Sequence, residues 1–261
     1  MKHANNMMTI VALFITASCA GFHPTPGPVA ADRPGYGDAP DVLPAGAIEM
    51  ESGYSTDRDR SGTTQAAGEL LTRVGIGGGT ELRFFGNSFV SHFAPGAPAQ
   101  RGMEDAKIGL KSAIIDRPDS AHGIVPSVSL LVATSVPTGG HAIGAGALQP
   151  EAQLAAAWKT GSPFDLYANV GVNAERDGVA WSVPGWTCAG TSSDLFGGLA
   201  VFGEFVNVFP VQGAVSRAAI IGGGFTLQLG ERTQLDAHIE RGVSNGVSTE
   251  RSFGFGIARR F

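Results

Sequence analysis

From about Ala45 to the last residue the chain alternates polar and apolar positions with a period of two, the spacing that sends successive side chains to opposite faces of a strand. The clearest run is Arg232 to Glu240. There Thr233, Leu235, Ala237 and Ile239 share one face, and Arg232, Gln234, Asp236, His238 and Glu240 share the other. Lys107 and Lys111 oppose Ile108 and Leu110 in the same way, Arg73 opposes Val74, and Glu81 and Arg83 alternate with Leu82 and Phe84. Such runs predict about twelve strands between residues 46 and 261. The eighth and ninth fall at 193–202 and 204–211, with a turn at Gly203, where Phe196 to Phe209 is apolar on both parities. Most are long enough for the ~9–11 residues that a tilted strand needs to cross a hydrocarbon layer.

The connections carry a second alternation. Gly77–Gly79, Thr160–Pro163, Gly203 and Gly230–Glu231 are short, with Ile115–Ile124 a poor fit in the same series, whereas Thr56–Ala66, Phe93–Gly102, Thr138–Leu148 and Glu175–Ser192 are long. An up-and-down barrel in an outer membrane has short periplasmic turns and longer outer loops, so the expected fold is an all-β, membrane-spanning antiparallel barrel of about twelve strands with both termini in the periplasm. The last strand ends in Phe253, Phe255, Ile257 and Phe261 on one face, the pattern of the signal read by the bacterial outer-membrane assembly machinery; Arg259 departs from it.

Three regions are expected. Residues 1–20 read as a cleaved signal peptide, with Lys2, the apolar run from Ile10 to Ile15, and the small residues Ala17, Ser18 and Ala20; the rival reading is a lipoprotein box ending at Cys19. Residues 21–44, rich in Pro, Gly, Ala and Asp without an apolar period, read as a disordered periplasmic lead-in. Residues 45–261 form the barrel.

Composition agrees with strands. Glycine supplies 38 residues and proline 15, which disfavours a helical bundle, and charged residues make up only 16% of the chain. The net charge of -5, with no basic stretch, disfavours a nucleic-acid partner. No phosphate loop, zinc spacing or serine signature appears, so no cofactor, no metal and no catalytic residue is expected.

The charges on the polar parity are the functional candidates: Arg73, Glu81, Arg83, Lys107, Lys111, Glu151, Asp236, His238 and Glu240. Facing lipid, an Arg or Lys would cost about 2–4 kcal/mol at midplane, so the alternation places these residues in the lumen. They either line a water-filled passage or pair across it and plug it. His238, between Asp236 and Glu240, reads as a polar lumen residue rather than a metal or acid–base cluster. Trp158, Trp181, Trp186, Tyr54 and Tyr167 are candidates for interfacial belts, with Trp181, Trp186 and Cys188 in the longest outer loop.

Three stretches resemble the outer-membrane transporter family named for the meta-pathway of phenol degradation. Gly102 to Lys111 (GMEDAKIGLK) is similar to its glycine-flanked strand leading into a lysine. Ser135 to Gly139 (SVPTG) is similar to its proline-threonine-glycine strand end, and Gln234-Leu235-Asp236 followed by Gly242 to its penultimate strand. The resemblance implies an outer-membrane barrel with a transport role, names no substrate and offers no catalytic residues. The expected function is passive passage of small molecules, hydrophobic or aromatic ones among them. The alternatives are a plugged structural or adhesin-like barrel and, further off, a lipid-acting enzyme using Ser244, Ser248 or Ser252 with His238. The expected partners are outer-membrane lipid, the assembly machinery and an unidentified small-molecule cargo.

Overall fold

The computed structural model describes residues 27–29, 31–118, 120–244 and 249–261. The signal-peptide segment and Ser248 lie outside them. Fifteen strands build one antiparallel sheet: β1 (Ile48–Asp59), β2 (Thr63–Gly77), β3 (Thr80–Phe85), β4 (Phe89–Phe93), β5 (Gln100–Met103), β6 (Ala106–Ile115), β7 (Ser127–Val136), β8 (Pro150–Trp158), β9 (Asp165–Asn173), β10 (Glu175–Asp177), β11 (Ala180–Asp194), β12 (Leu199–Gln212), β13 (Ala218–Gln228), β14 (Thr233–Gly242) and β15 (Thr249–Arg260). Three crossings of the wall are each interrupted once, at β3/β4, β5/β6 and β9/β10, so the wall is a twelve-stranded up-and-down barrel. β1 pairs with β15, Glu49 opposite Arg260 and Tyr54 opposite Phe255, and this seam closes the sheet. Closure removes the open edge that a strand in hydrocarbon cannot tolerate, and the short strands β5 and β10 pair on one side only.

The parity holds along the wall. Ile108, Val170, Phe205, Phe225, Ile239, Phe253, Phe255 and Ile257 point outward, while Glu49, Glu51, Arg73, Glu81, Arg83 and Lys111 are buried inside. The end of the barrel that holds Phe261 carries the turns Gly78–Gly79 and Leu195–Gly198, and the seam strand β1 begins there.

Two stretches depart from the sequence pattern: the expected loop Thr56–Ala66 is mostly paired strand with a turn at 60–62, and the second departure is larger. The expected eighth strand at 193–202 and the turn at Gly203 are replaced by β11 over Ala180–Asp194 and a turn at Leu195–Gly198, where Gly197 and Gly198 both adopt positive φ. Gly203 lies inside β12, paired with Thr191 and Gly223. β11 carries Pro, Gly, Ser and Thr, and its outward residues Thr187 and Ala189 are small, so no apolar alternation marks it. The expected long loop Glu175–Ser192 is therefore mostly wall. Trp186 and Cys188 sit inside the barrel instead of in a loop.

The lead-in also differs from expectation. Residues 27–29 and 31–44 do not trail away from the barrel; they form a loop that enters its lumen. At the C-terminal end, Arg260 Nη1 donates to the Gly27 carbonyl at 2.6 Å and Val29 N donates to Glu231 O at 3.0 Å. The segment rises to Tyr36, whose ring meets Trp186 edge-on at 5.1 Å. It then descends past Leu43, whose N donates to Glu81 Oε2 at 2.9 Å, and joins β1 where Gly46 N donates to Gly75 O at 2.8 Å. Order in a segment without an apolar core of its own comes from side chains of the wall, which satisfy its backbone groups.

An outward aromatic tests the lipid-facing assignment. Phe255→Arg, in the middle of the seam strand, should destabilise the barrel by about 2–4 kcal/mol in urea titrations of protein refolded into lipid vesicles.

Candidate functional site: a plugged lumen with an outer recess

The inner parity of β1, β2, β3 and β6 brings Glu49, Glu51, Arg73, Glu81, Arg83 and Lys111 to one level of the lumen. Arg73 Nε lies 2.9 Å from Glu81 Oε1, and its Nη1 lies 3.3 Å from Glu49 and 3.5 Å from Glu51. Asp32 of the inserted loop supplies the missing counter-charge. Its carboxylate lies 2.7 Å from Arg83 Nη1, 3.1 Å from Lys111 Nζ and 3.8 Å from Arg73 Nη1. Burial alone would raise its pKa, but the charges of Arg73, Lys111 and Arg83 outweigh burial and hold it well below the ordinary value of 3.8.

Glu51 accepts the Asp32 and Arg33 backbone N–H groups, each at 3.2 Å. Arg33 lies over the seam between β1 and β15, 2.6 Å from Glu69 and 3.6 Å from Asp236, and donates to the Phe255 carbonyl at 3.2 Å. Its guanidinium occupies the space that side chains on Gly53 and Gly256 would fill, so the wall is cut away to receive it. Higher up, Glu204 accepts from Tyr36 N at 2.7 Å, from Tyr167 Oη at 3.2 Å and from Cys188 Sγ at 3.3 Å. Tyr167 therefore faces the lumen rather than an interfacial belt. Tyr54, by contrast, packs on Phe255, and Trp158 Nε1 donates to the Ile124 carbonyl at 2.9 Å.

Of the residues that the pattern singles out, Arg73, Glu81, Arg83 and Lys111 meet at Asp32, and Asp236 meets Arg33. Lys107 and Glu151 stand apart toward the end of the barrel opposite Phe261, 2.8 Å from each other. His238 lies against Gly254, and its Nδ1 has no hydrogen-bond partner. Glu240 lies beside Gly222, near Glu204. The pattern missed Glu49 and Glu51, although both alternate with Ile48 and Met50. It also missed Glu204, in a strand apolar on both parities, and Asp32, Arg33 and Asp38, in a segment without any period.

Space remains on both sides of the loop. A cavity of about 1000 Å³ opens at the end that holds Gly27, Leu43, Gly79, Phe196 and Arg260. At the opposite end a recess of about 330 Å³ holds Lys107, Glu151, Asn173 and Arg176. A chamber of about 150 Å³ that reaches Tyr36 and Trp186 shares Glu151 and Asn173 with it as lining residues. Asp32 to Asp38 and their ion pairs stand between the two ends.

Two consequences are measurable by hydrogen exchange. Removing one partner of a buried ion cluster costs about 3–5 kcal/mol, so Asp32→Asn should release the loop and cut the protection of residues 31–44 sharply while leaving the wall strands protected. Asp38, 3.6 Å from Arg83, responds to pH. Burial, and then the charge of Asp32, push its pKa up from 3.8 to about 6. An acid whose pKa is raised on docking supports docking fully below 3.8 and loses that support as pH rises through about 6. Asp32 stays ionised throughout this window. Protection of residues 31–44, corrected for intrinsic exchange, should therefore fall from pH 5 to pH 7, and Asp38→Asn should flatten the fall.

A family model described as "Putative MetA-pathway of phenol degradation" matches residues 31–261. No curated protein matches the chain. Among solved structures, it is similar to the COG4313 outer membrane channel from Pseudomonas putida F1, with 13% identity, a TM-score of 0.66, and 88% of this chain and 99% of that one covered. It is also similar to the KdgM porin, with 8% identity, a TM-score of 0.54 and coverage of 81% and 99%. The NanC porin aligns at 9% identity, with a TM-score of 0.52 and coverage of 81% and 98%. At these identities the likeness is one of fold.

Proposed function

The chain belongs to the family "Putative MetA-pathway of phenol degradation", and we propose that it is an outer-membrane channel for passive passage of small hydrophobic or aromatic molecules, gated by its own N-terminal loop. The observation that carries this reading is the loop itself. It obstructs the lumen chiefly through ion pairs and hydrogen bonds, between a recess at one end and a larger cavity at the other. Wall residues fill the interior of a barrel of about eight strands, whereas this twelve-stranded wall leaves room that the loop occupies.

In this reading the chain is exported by a cleaved signal peptide and inserted by the assembly machinery. That machinery would read Phe253, Phe255, Ile257 and Phe261, all of which point outward. The end of the barrel holding Phe261 then faces the periplasm, and the recess at Lys107 and Glu151 faces outside. Chemistry on a lipid is not part of the proposal. Ser244 Oγ accepts from the Ala219 N–H at 2.9 Å, and Ser252 pairs across the sheet with Glu240 rather than His238.

A plugged structural barrel is favoured by one observation, the completeness of the charge pairing around Asp32. Planar-bilayer recording separates the two. The channel reading expects low or infrequent conductance from the refolded chain and a several-fold larger, persistent conductance from a variant lacking residues 27–44 or carrying Asp32→Asn. Silence from refolded wild type and both variants would retire it.

A further inference from the structure

The seam between β1 and β15 is the most demanding pairing in the wall. The other pairings join strands close in the chain, whereas this one joins the first strand to the last, and the entropy lost on closing a loop grows with its length. On its lumen side the seam is also bare. Glu51 stands opposite Ala258, Gly53 opposite Gly256 and Ser55 opposite Gly254, so no two large side chains meet there. Cross-strand side-chain pairs are what ordinarily reinforce an antiparallel pair.

The inserted loop supplies what the seam lacks. Glu51 in β1 accepts the Asp32 and Arg33 backbone N–H groups, which seats Arg33 over the paired glycines. Its guanidinium then divides its donors between the two ends of the chain. Nη1 lies 2.6 Å from Glu69 Oε2 in β2, while Nη2 donates to the Phe255 carbonyl in β15 at 3.2 Å and Nε lies 3.6 Å from Asp236 Oδ1 in β14. One planar fork of donors thus spans the four adjacent strands β2, β1, β15 and β14.

The wall is shaped to take part. Glu51 faces Leu71 and Gly53 faces Gly68, so β2 carries one residue more than β1 over this stretch. Glu69 lies in that bulge at a φ of 39°, a left-handed backbone uncommon outside glycine, and its other carboxylate oxygen accepts from Ser55 Oγ at 2.5 Å. A second bridge stands at the rim, where Arg260 of β15 lies 3.0 Å from Glu49 of β1 and donates to the Gly27 carbonyl at 2.6 Å. Between the two bridges the Val29 carbonyl accepts from Gln228 Nε2 of β13 at 2.6 Å, and Val29 N donates to Glu231 O at 3.0 Å.

We propose that the first limb of the inserted loop, residues 27–29 and 31–33, is an assembly clasp for the barrel. Docked on the β1–β2 hairpin, it presents the Arg33 guanidinium beyond the free edge of β1, and the arriving β14–β15 hairpin closes the wall onto it. This task is separate from filling the lumen and does not depend on whether anything passes.

The test follows refolding of the full chain from urea into lipid vesicles by pulsed hydrogen exchange, comparing peptides of β1 and β15 with peptides of β7 and β8, which lie away from the seam. Arg33→Met should delay protection of the seam about fivefold, the worth of one charge-assisted hydrogen bond, and leave β7 and β8 on the wild-type time course. Gly53→Ala is the sharper variant. A Cβ there meets the Arg33 guanidinium and displaces it, although alanine ordinarily strengthens a strand interior relative to glycine. The clasp therefore expects slower seam closure from Gly53→Ala, whereas a seam that closes unaided expects closure at least as fast as wild type. In the double variant, with no guanidinium left to displace, Gly53→Ala should add no delay to that of Arg33→Met. Should Arg33→Met fail to fold, Gly53→Ala, which keeps every charge, carries the test. Unchanged seam closure in folded Arg33→Met, an equal delay in all strands, or closure in Gly53→Ala as fast as wild type would overturn the clasp.

Discussion

The Asp32 carboxylate is the contact on which the inside of this barrel depends. The wall alone places Arg73, Arg83 and Lys111 within a few ångströms of one another, and these side chains are almost fully buried. The neighbouring acids Glu49, Glu51 and Glu81 offset part of that charge, but Arg260 also leans on Glu49, at 3.0 Å. A negative group entering from outside the wall completes the balance. Charges in a poorly hydrated space are costly without such partners, and each cation here reaches Asp32 within 3.8 Å. The centre of the loop is thus held by electrostatics, while Val29 and Leu43 are buried on either side of it.

Shape then makes room for what charge attracts. Arg33 fits because Gly53 in β1 and Gly256 in β15 present bare backbone on the two sides of the seam. Gly37 likewise lies against Asn169, Tyr167 and Cys188, so the loop itself is trimmed where the wall is bulky. A high glycine content, which at first only disfavoured helices, therefore has a local meaning. Inward glycines form the mould of the inserted segment, and Gly171 does the same for Trp186.

What the sequence reveals follows from periodicity. Arg73, Glu81, Arg83 and Lys111 were legible as inward residues because each stands between apolar residues whose only tolerable place is lipid. β11 was not legible, because small residues at 187 and 189 satisfy the lipid side without looking apolar, and the neighbouring 196–209 stretch looks apolar on both sides. The inserted loop was illegible for a different reason. Its partners are its own backbone N–H and carbonyl groups and two or three charges, and a coil with no period gives no sign of which charges will be met. Composition alone made it look like a tether.

The same features set the terms on which anything could cross. The loop holds no disulfide to the wall, since Cys188 is a free thiol, and its bonds are polar contacts that water can replace once the lumen fills. Replacement is not piecemeal. Asp32 cannot leave while Arg73, Arg83 and Lys111 remain dry, and Tyr36 cannot retract without exposing Trp186, so the centre and the tip of the loop resist separate movement. A change of protonation at Asp38 acts on the centre through Arg83. Displacing the loop then requires its centre and its tip to yield together.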